Sequence, residues 1–323
     1  MAETAPISDK STNDRISLVE ASVRAGFRVL NHVPFLAAPC ADTLFFKPPR
    51  HRLSPRGRRF LASGERLTFE VGDARLAAWS WGAGPTVLLV HGWGGRASQM
   101  SAFVPALRAE GYRVVAFDAP AHGESSGFLS SALDFARAVE VIVRKAGPVK
   151  GIVAHSLGST GVAVALSRGV VAQRVVLIGP PADPTAWASH FARRFRVSVE
   201  VMRAMRARSE RRLGASWSLL ELSAMAPLRG TPLLVIHDRE DREVAFAEGQ
   251  EFASALRAEL VATRGLGHRR ILRDPDVVRK AVAFVSEKSV EDISGSSVLG
   301  ESGALDRYLY ERDDREAFAS SRR

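Results

Sequence analysis

The chain has 323 residues, 46% of them hydrophobic, a formal net charge of +10 and a single cysteine, Cys40. That size suits one large α/β domain with insertions or two small domains. No stretch reaches the ~18 uninterrupted apolar residues of a membrane span. One cysteine excludes an internal disulfide. The polar start, "MAETAPISDKSTNDR", has no signal-peptide core, and together these point to a reducing cytoplasm. Much of the charge lies in "KPPRHRLSPRGRR" (47–59) and the arginine-rich segment 193–212. Neither has zinc-finger spacing, RNP-like aromatics or a helix-turn-helix signature. The charge therefore reads as solvated surface, and no nucleic-acid partner is expected.

Residues 1–60 read as an N-terminal extension, with a helix around 15–31 followed by a Pro- and Arg-rich connector. Its apolar stretch "VPFLAAPCADTLFF" is short and broken by two prolines and Asp42. A domain over 61–287 follows. Its first strands, "RLTFEV" and "RLAAWSW", meet at Gly72-Asp73, a natural turn pair. Strands and helices then alternate: "TVLLVH", a helix over 98–110, "RVVAFD", a helix over 130–145, "KGIVAH", a helix from 157, and "RVVLIG". After an interruption at 183–226, "PLLVIH", a helix near 245–257, "ELVAT" and a helix near 275–287 complete the series. Continuous apolar strands in β-α alternation imply a mostly parallel sheet covered by helices on both faces. Residues 288–323 read as a tail, Ser/Gly-rich and then charged ("ALDRYLYERDDREAFA"), either a short amphipathic helix or disordered.

The segment "KGIVAHSLGSTG" (150–161) carries the chemistry. An apolar strand runs into Ser156, and the small residues Gly158, Ser159, Gly161 and Ala163 suit a helix lying close against a sheet. Such a turn can hold one side chain up at the sheet's edge, as in the G-x-S-x-G elbow, although Ala154 stands where the first Gly is usual. One methyl there is a mild burden on the close passage of strand and helix.

Four motifs in order, "HGWGG" (91–95), "FDAPAHGES" (117–125), "AHSLG" (154–158) and "HDREDREV" with the later "GLGHRR", resemble the α/β-hydrolase superfamily over about residues 65–287. The resemblance implies the α/β-hydrolase fold with a small helical cap at 183–226, over the carboxyl ends of the strands. It also implies a Ser–acid–His order. Ser156 is the candidate nucleophile and needs a base within reach; His268, in a glycine-flanked loop, is the candidate base. Asp241 is the candidate acid that orients it. Asp238 and Glu240 flank Asp241 and read as surface or loop-capping residues. Asp183 stays open as an alternative acid, since some members carry theirs after the preceding strand. Of the other histidines, His91 and His122 belong to loop motifs, His155 flanks the nucleophile and His237 ends a strand. His32, His51 and His190 lie outside the motifs. The backbone N–H groups of Trp93 and Leu157 are the expected oxyanion donors.

The expected reaction is hydrolysis of a small-molecule carboxylic ester through an acyl-enzyme. A thioesterase, acyltransferase or carbon–carbon-bond hydrolase would use the same triad, and a non-catalytic binding protein on this fold is a further alternative. No cofactor and no metal are expected, because no metal-ligand motif is present. Oligomeric state is open. Within the interruption, Trp187, Phe191, Phe195, Val199, Met202 and Met205 fall at i,i+4 and i,i+3 steps and read as one apolar stripe. Arg193, Arg194, Arg196, Arg203, Arg206 and Arg208 lie between them. Most simply, these helices pack on the sheet's edge with the arginines in water. The alternative is a lid over Ser156 with an arginine reaching toward an anionic substrate group.

Overall fold

The computed structural model describes residues 10–225, 228, 230–289 and 292. The charged segment from 304 onward lies outside them. In chain order the helices α1 (Lys10–Leu30), α2 (Pro34–Phe46) and α3 (Pro55–Ala62) come first. The hairpin β1 (Glu65–Val71) and β2 (Ala74–Trp81) and the strand β3 (Thr86–Val90) follow. Then come α4 (Phe103–Ala109), β4 (Arg113–Phe117), α5 (Ala132–Ala146), β5 (Val149–His155), α6 (Leu157–Ser167) and β6 (Ala172–Ile178). The helices α7 (Ala186–Phe195), α8 (Val199–Leu213) and α9 (Leu222–Met225) interrupt the alternation. The chain continues with β7 (Leu233–Asp238), α10 (Phe246–Leu256), β8 (Glu259–Thr263), α11 (Gly267–Arg270) and α12 (Pro275–Ser286).

Two units form. One, among the described residues, comprises 46–185 and 213–289 and holds a single eight-stranded sheet, in the order β1-β2-β4-β3-β5-β6-β7-β8. β1–β2 and β2–β4 pair antiparallel and every later pair is parallel. Gly72 turns the hairpin at φ +55°, a conformation that costs glycine little. The strands β3, β5 and β6 are apolar on both faces because helices cover both. Leu88, Ile152 and Val175 pack with α5 and α6, while Leu89, Val153 and Val176 pack with α4 and α12. The order places the carboxyl ends of β3, β5, β6 and β7 side by side, the edge at which α/β sheets bind ligands.

α6 sits close to its neighbours, as its small residues require. A Cβ at Gly161 would come within 2.5 Å of Phe135 Cβ on α5. At Gly158 it would collide with the carbonyl oxygen of His91 and come within 3.1 Å of Val90. Ala154, Ser159 and Ala163 are wholly buried.

The second unit, among the described residues, comprises 10–45 together with 186–212. The segment read as a connector is helical in two places. Pro34 and Pro55 open α2 and α3 at their first turns, where a missing N–H is tolerated. Ser54 caps α3 by accepting the Gly57 N–H at 3.0 Å. The apolar stripe expected across 187–205 is also interrupted. α7 ends at Phe195, Arg196 turns at φ +56°, and α8 restarts at Val199. Phe191 and Met205 are buried, but Trp187 and Val199 are 47% and 60% exposed, so the residues do not form one face. Phe191 instead packs edge-on against Phe45 of α2. No described helix is long and apolar enough to cross a membrane.

Candidate active site

β5 delivers Ser156 at its carboxyl end, where the backbone turns at φ 52° and ψ −129° before α6 begins. A β-carbon rarely tolerates that region, so the surrounding contacts must hold it there. The Ser156 N–H donates to the Ile178 carbonyl at 2.8 Å, and the Ser159 N–H returns to the Ser156 carbonyl at 2.8 Å. The loop after β3 passes directly against the elbow: a Cβ at Gly92 would lie 2.7 Å from Ser156 Cβ. Trp93 is the next residue of that loop. Leu157 is the first residue of α6, among the N–H groups that have no partner within a helix. Both residues are half-buried.

His268 is buried in the short helix α11 that follows β8, rather than in an open loop, and its Nδ1 lies 2.7 Å from Asp241 Oδ2. A carboxylate only accepts, so Nδ1 carries the proton and Nε2 is the basic nitrogen of the neutral ring. The Asp241 carboxylate is fully engaged. Oδ1 accepts the Glu243 and Val244 N–H groups at 2.8 and 3.0 Å, and Oδ2 also faces His237 Nε2 at 3.4 Å. Burial alone would raise this carboxyl. The hydrogen bonds from His237 and His268, and the charge of His268, outweigh burial and hold it far below the usual carboxylate range. Gly179, at the end of β6, brings the backbone against the pair, since a Cβ there would meet His268 at 3.3 Å.

The competing carboxylates do other things. Asp238 is fully buried rather than a surface residue. It accepts the Thr263 hydroxyl at 2.7 Å, the Leu266 N–H at 3.1 Å and the Glu240 N–H at 3.0 Å, and so anchors the loop that carries His268. Glu240 is exposed. Asp183 is exposed and accepts the Thr185 N–H at 2.8 Å, capping its own turn.

Four histidines surround this centre, and their neighbours could not be read from spacing. His155 donates from Nε2 to the His268 carbonyl at 2.8 Å, tying the residue before Ser156 to the His268 backbone. Burial, with His268 nearby, lowers its pKa to about 3. His91 accepts the Ala119 N–H at Nε2 (3.0 Å), so Nδ1 donates to the Gly92 carbonyl (2.6 Å) and braces the loop that carries Trp93. Burial, with His122 as neighbour, keeps His91 well below its ordinary value. His122 packs edge-on against Trp93, and burial lowers it to about 4. His237 Nε2 faces only acceptors, the Val244 carbonyl at 3.1 Å and Asp241, and so carries a proton toward both.

Asp118, 1% exposed at the end of β4, joins two loops. It accepts the Ala97 N–H and the Glu124 N–H, each at 2.7 Å. Burial pushes its carboxyl up to about 6 against the pull of those two donors. Among the described residues no group of three or more His, Cys, Asp or Glu is set to hold a metal ion.

Comparison with known proteins accords with this arrangement. The model of the alpha/beta hydrolase family matches residues 87–281, more than half of the chain. The chain belongs to the alpha/beta hydrolase family. Similar solved structures share the fold at low identity. The Pyrococcus furiosus esterase Pf2001 is 22% identical, with a TM-score of 0.57 over 75% of this chain and 99% of its own. A bromoperoxidase from Bacillus anthracis is 19% identical, with a TM-score of 0.52 over 69% and 100%. A thioesterase domain from the curacin biosynthetic pathway is 19% identical, with a TM-score of 0.50 over 69% and 99%. No curated protein matches the chain in sequence. Neighbours with such different names show that the fold of this hydrolase does not by itself choose its substrate.

Proposed function

We propose that this hydrolase cleaves carboxylic esters, with Ser156 as nucleophile, His268 as base and Asp241 as the acid that orients it. The 2.7 Å Nδ1–Oδ2 hydrogen bond carries the reading, because it leaves His268 Nε2 as the proton acceptor, in a residue whose carbonyl is bonded to His155, the neighbour of Ser156. Ser156 Oγ attacks the ester carbonyl while Nε2 takes its proton. The oxyanion is stabilised by the N–H groups of Leu157 and Trp93, each donor being worth ~10²–10³ in rate. The His268 imidazolium, stabilised by Asp241, protonates the departing alcohol. Water then attacks the acyl-enzyme by the same route and releases the acid. Location in the cytoplasm belongs to the same reading.

A fluorophosphonate probe tests the assignment. It should label the protein once, at Ser156, and Ser156→Ala should abolish both labelling and turnover of p-nitrophenyl esters. Undiminished labelling of Ser156→Ala would overturn the triad. Hydrolysis of acyl thioesters at rates far above those of matched esters would move the substrate class while leaving the triad in place.

A further inference from the structure

The helical unit formed by residues 10–45 and 186–212 presents an apolar surface to solvent. Among the described residues, eight large apolar side chains are prominently exposed, and six of them belong to this unit. Four cluster at one end of it. Val29 precedes the α1–α2 turn, Phe35 and Leu36 follow it, and Val199 follows the α7–α8 turn. Asn31 binds the two turns together, donating from Nδ2 to the Arg196 carbonyl at 2.8 Å and accepting the Ser198 N–H at 2.9 Å. The exposures of these side chains, 71, 73, 54 and 60%, leave most of each open to solvent. Arg28 and Arg196, both exposed, lie at the same two turns.

α2 is unusual for a surface helix. Its outward positions Leu36, Cys40 and Leu44 follow i,i+4 steps and none is charged, while its one carboxylate, Asp42, is buried and paired with Arg208 and Arg212 of α8. A helix apolar all round ordinarily has both sides covered. Charge decides the covering partner. Over residues 20–45 and 186–212 the sequence has ten arginines and four carboxylates, a surplus of six positive charges. A second copy would bring like charges together. An anionic surface with an apolar layer beneath it complements both features.

We propose that the paired turns at Asn31 are a docking tip for anionic membranes, with Phe35 and Leu36 entering the headgroup boundary and the surrounding arginines meeting lipid phosphates. The tip binds peripherally and requires no spanning helix. It is independent of ester cleavage, so failure of the catalytic reading leaves it standing.

Co-sedimentation of the full chain with vesicles tests this. Binding is expected to vesicles of phosphatidylcholine mixed with phosphatidylglycerol, to weaken with added salt, and to be absent on phosphatidylcholine alone. Phe35→Ser with Leu36→Ser should weaken it about tenfold or more, and Arg28→Gln about fivefold. All three side chains are exposed, and circular dichroism should report an unchanged fold. Equal sedimentation of the double variant and wild type would overturn the proposal. So would failure to bind mixed vesicles, or tighter binding to duplex DNA than to them.

Discussion

Three buried histidines make stability depend on mild acid. His155 and His122 have pKa values lowered to about 3 and about 4, and His91 is held well below its ordinary value. In the unfolded chain all three return to about 6.5. A depressed histidine contributes stability that is present above the unfolded pKa and is lost as pH falls, because only the unfolded state takes up the proton. Between pH 7 and pH 5 that loss is about 2 kcal/mol for each of His155 and His122, roughly 4 kcal/mol for the two, and His91 acts in the same direction. Asp118 works the other way. Its folded value of about 6 exceeds its unfolded one, so it gives back about 1 kcal/mol over the same interval. The Asp241 contribution is present throughout, because its depressed carboxyl gives way only as pH falls below about 4. His155, His122 and Asp118 together give a net loss of about 2–3 kcal/mol from pH 7 to pH 5, with His91 adding in the same direction, a large part of the 5–15 kcal/mol typical of a folded protein. Urea midpoints at constant slope measure it. His155→Gln, whose amide can still donate to the His268 carbonyl, should reduce the loss by about 2 kcal/mol. A midpoint that is flat or rises on acidification, or a His155→Gln variant with the wild-type pH dependence, would refute the reasoning.

Exchange of the candidate acids separates two carboxylates by role. Asp241→Asn should lower kcat about 10⁴-fold by favouring the wrong tautomer of His268, whereas Asp183→Asn, at an exposed turn, should leave kcat within a factor of about two; steady-state kinetics on one ester decides, and the reverse order would reassign the acid. Gly158→Ala should cost about 3 kcal/mol, since its methyl group meets the His91 backbone rather than a movable side chain. The thermal midpoint should fall by about 6–12 °C, and an unchanged midpoint would show that α6 can withdraw from β3.

Local pattern carried the sheet. "TVLLV", "KGIVAH" and "RVVLIG" are apolar at every position or nearly so because each strand is covered on both faces, and that requirement is written residue by residue. The small residues after Ser156 are likewise a local record of close packing, confirmed at Gly158 and Gly161. The N-terminal connector was misread because its prolines fall at helix starts in Pro34 and Pro55, and Pro39 lies inside a helix despite its missing N–H. The stripe across 187–205 failed because i,i+4 spacing holds only while a helix continues, and Arg196 ends that continuity.

The pairing at the site is of another kind. Asp238 ends β7 and Asp241 stands three residues on, yet one carboxylate anchors Leu266 and the other meets His268. His155, His91 and His237 are ordinary residues by position and become braces only through the His268, Gly92 and Val244 carbonyls. What the sequence determined by itself is the set of elements and their faces, since periodicity and turn chemistry act between near neighbours. Which side chains meet was decided only when β3, β5, β6 and β7 aligned their ends, because those contacts join residues up to 113 positions apart whose distance no local preference sets.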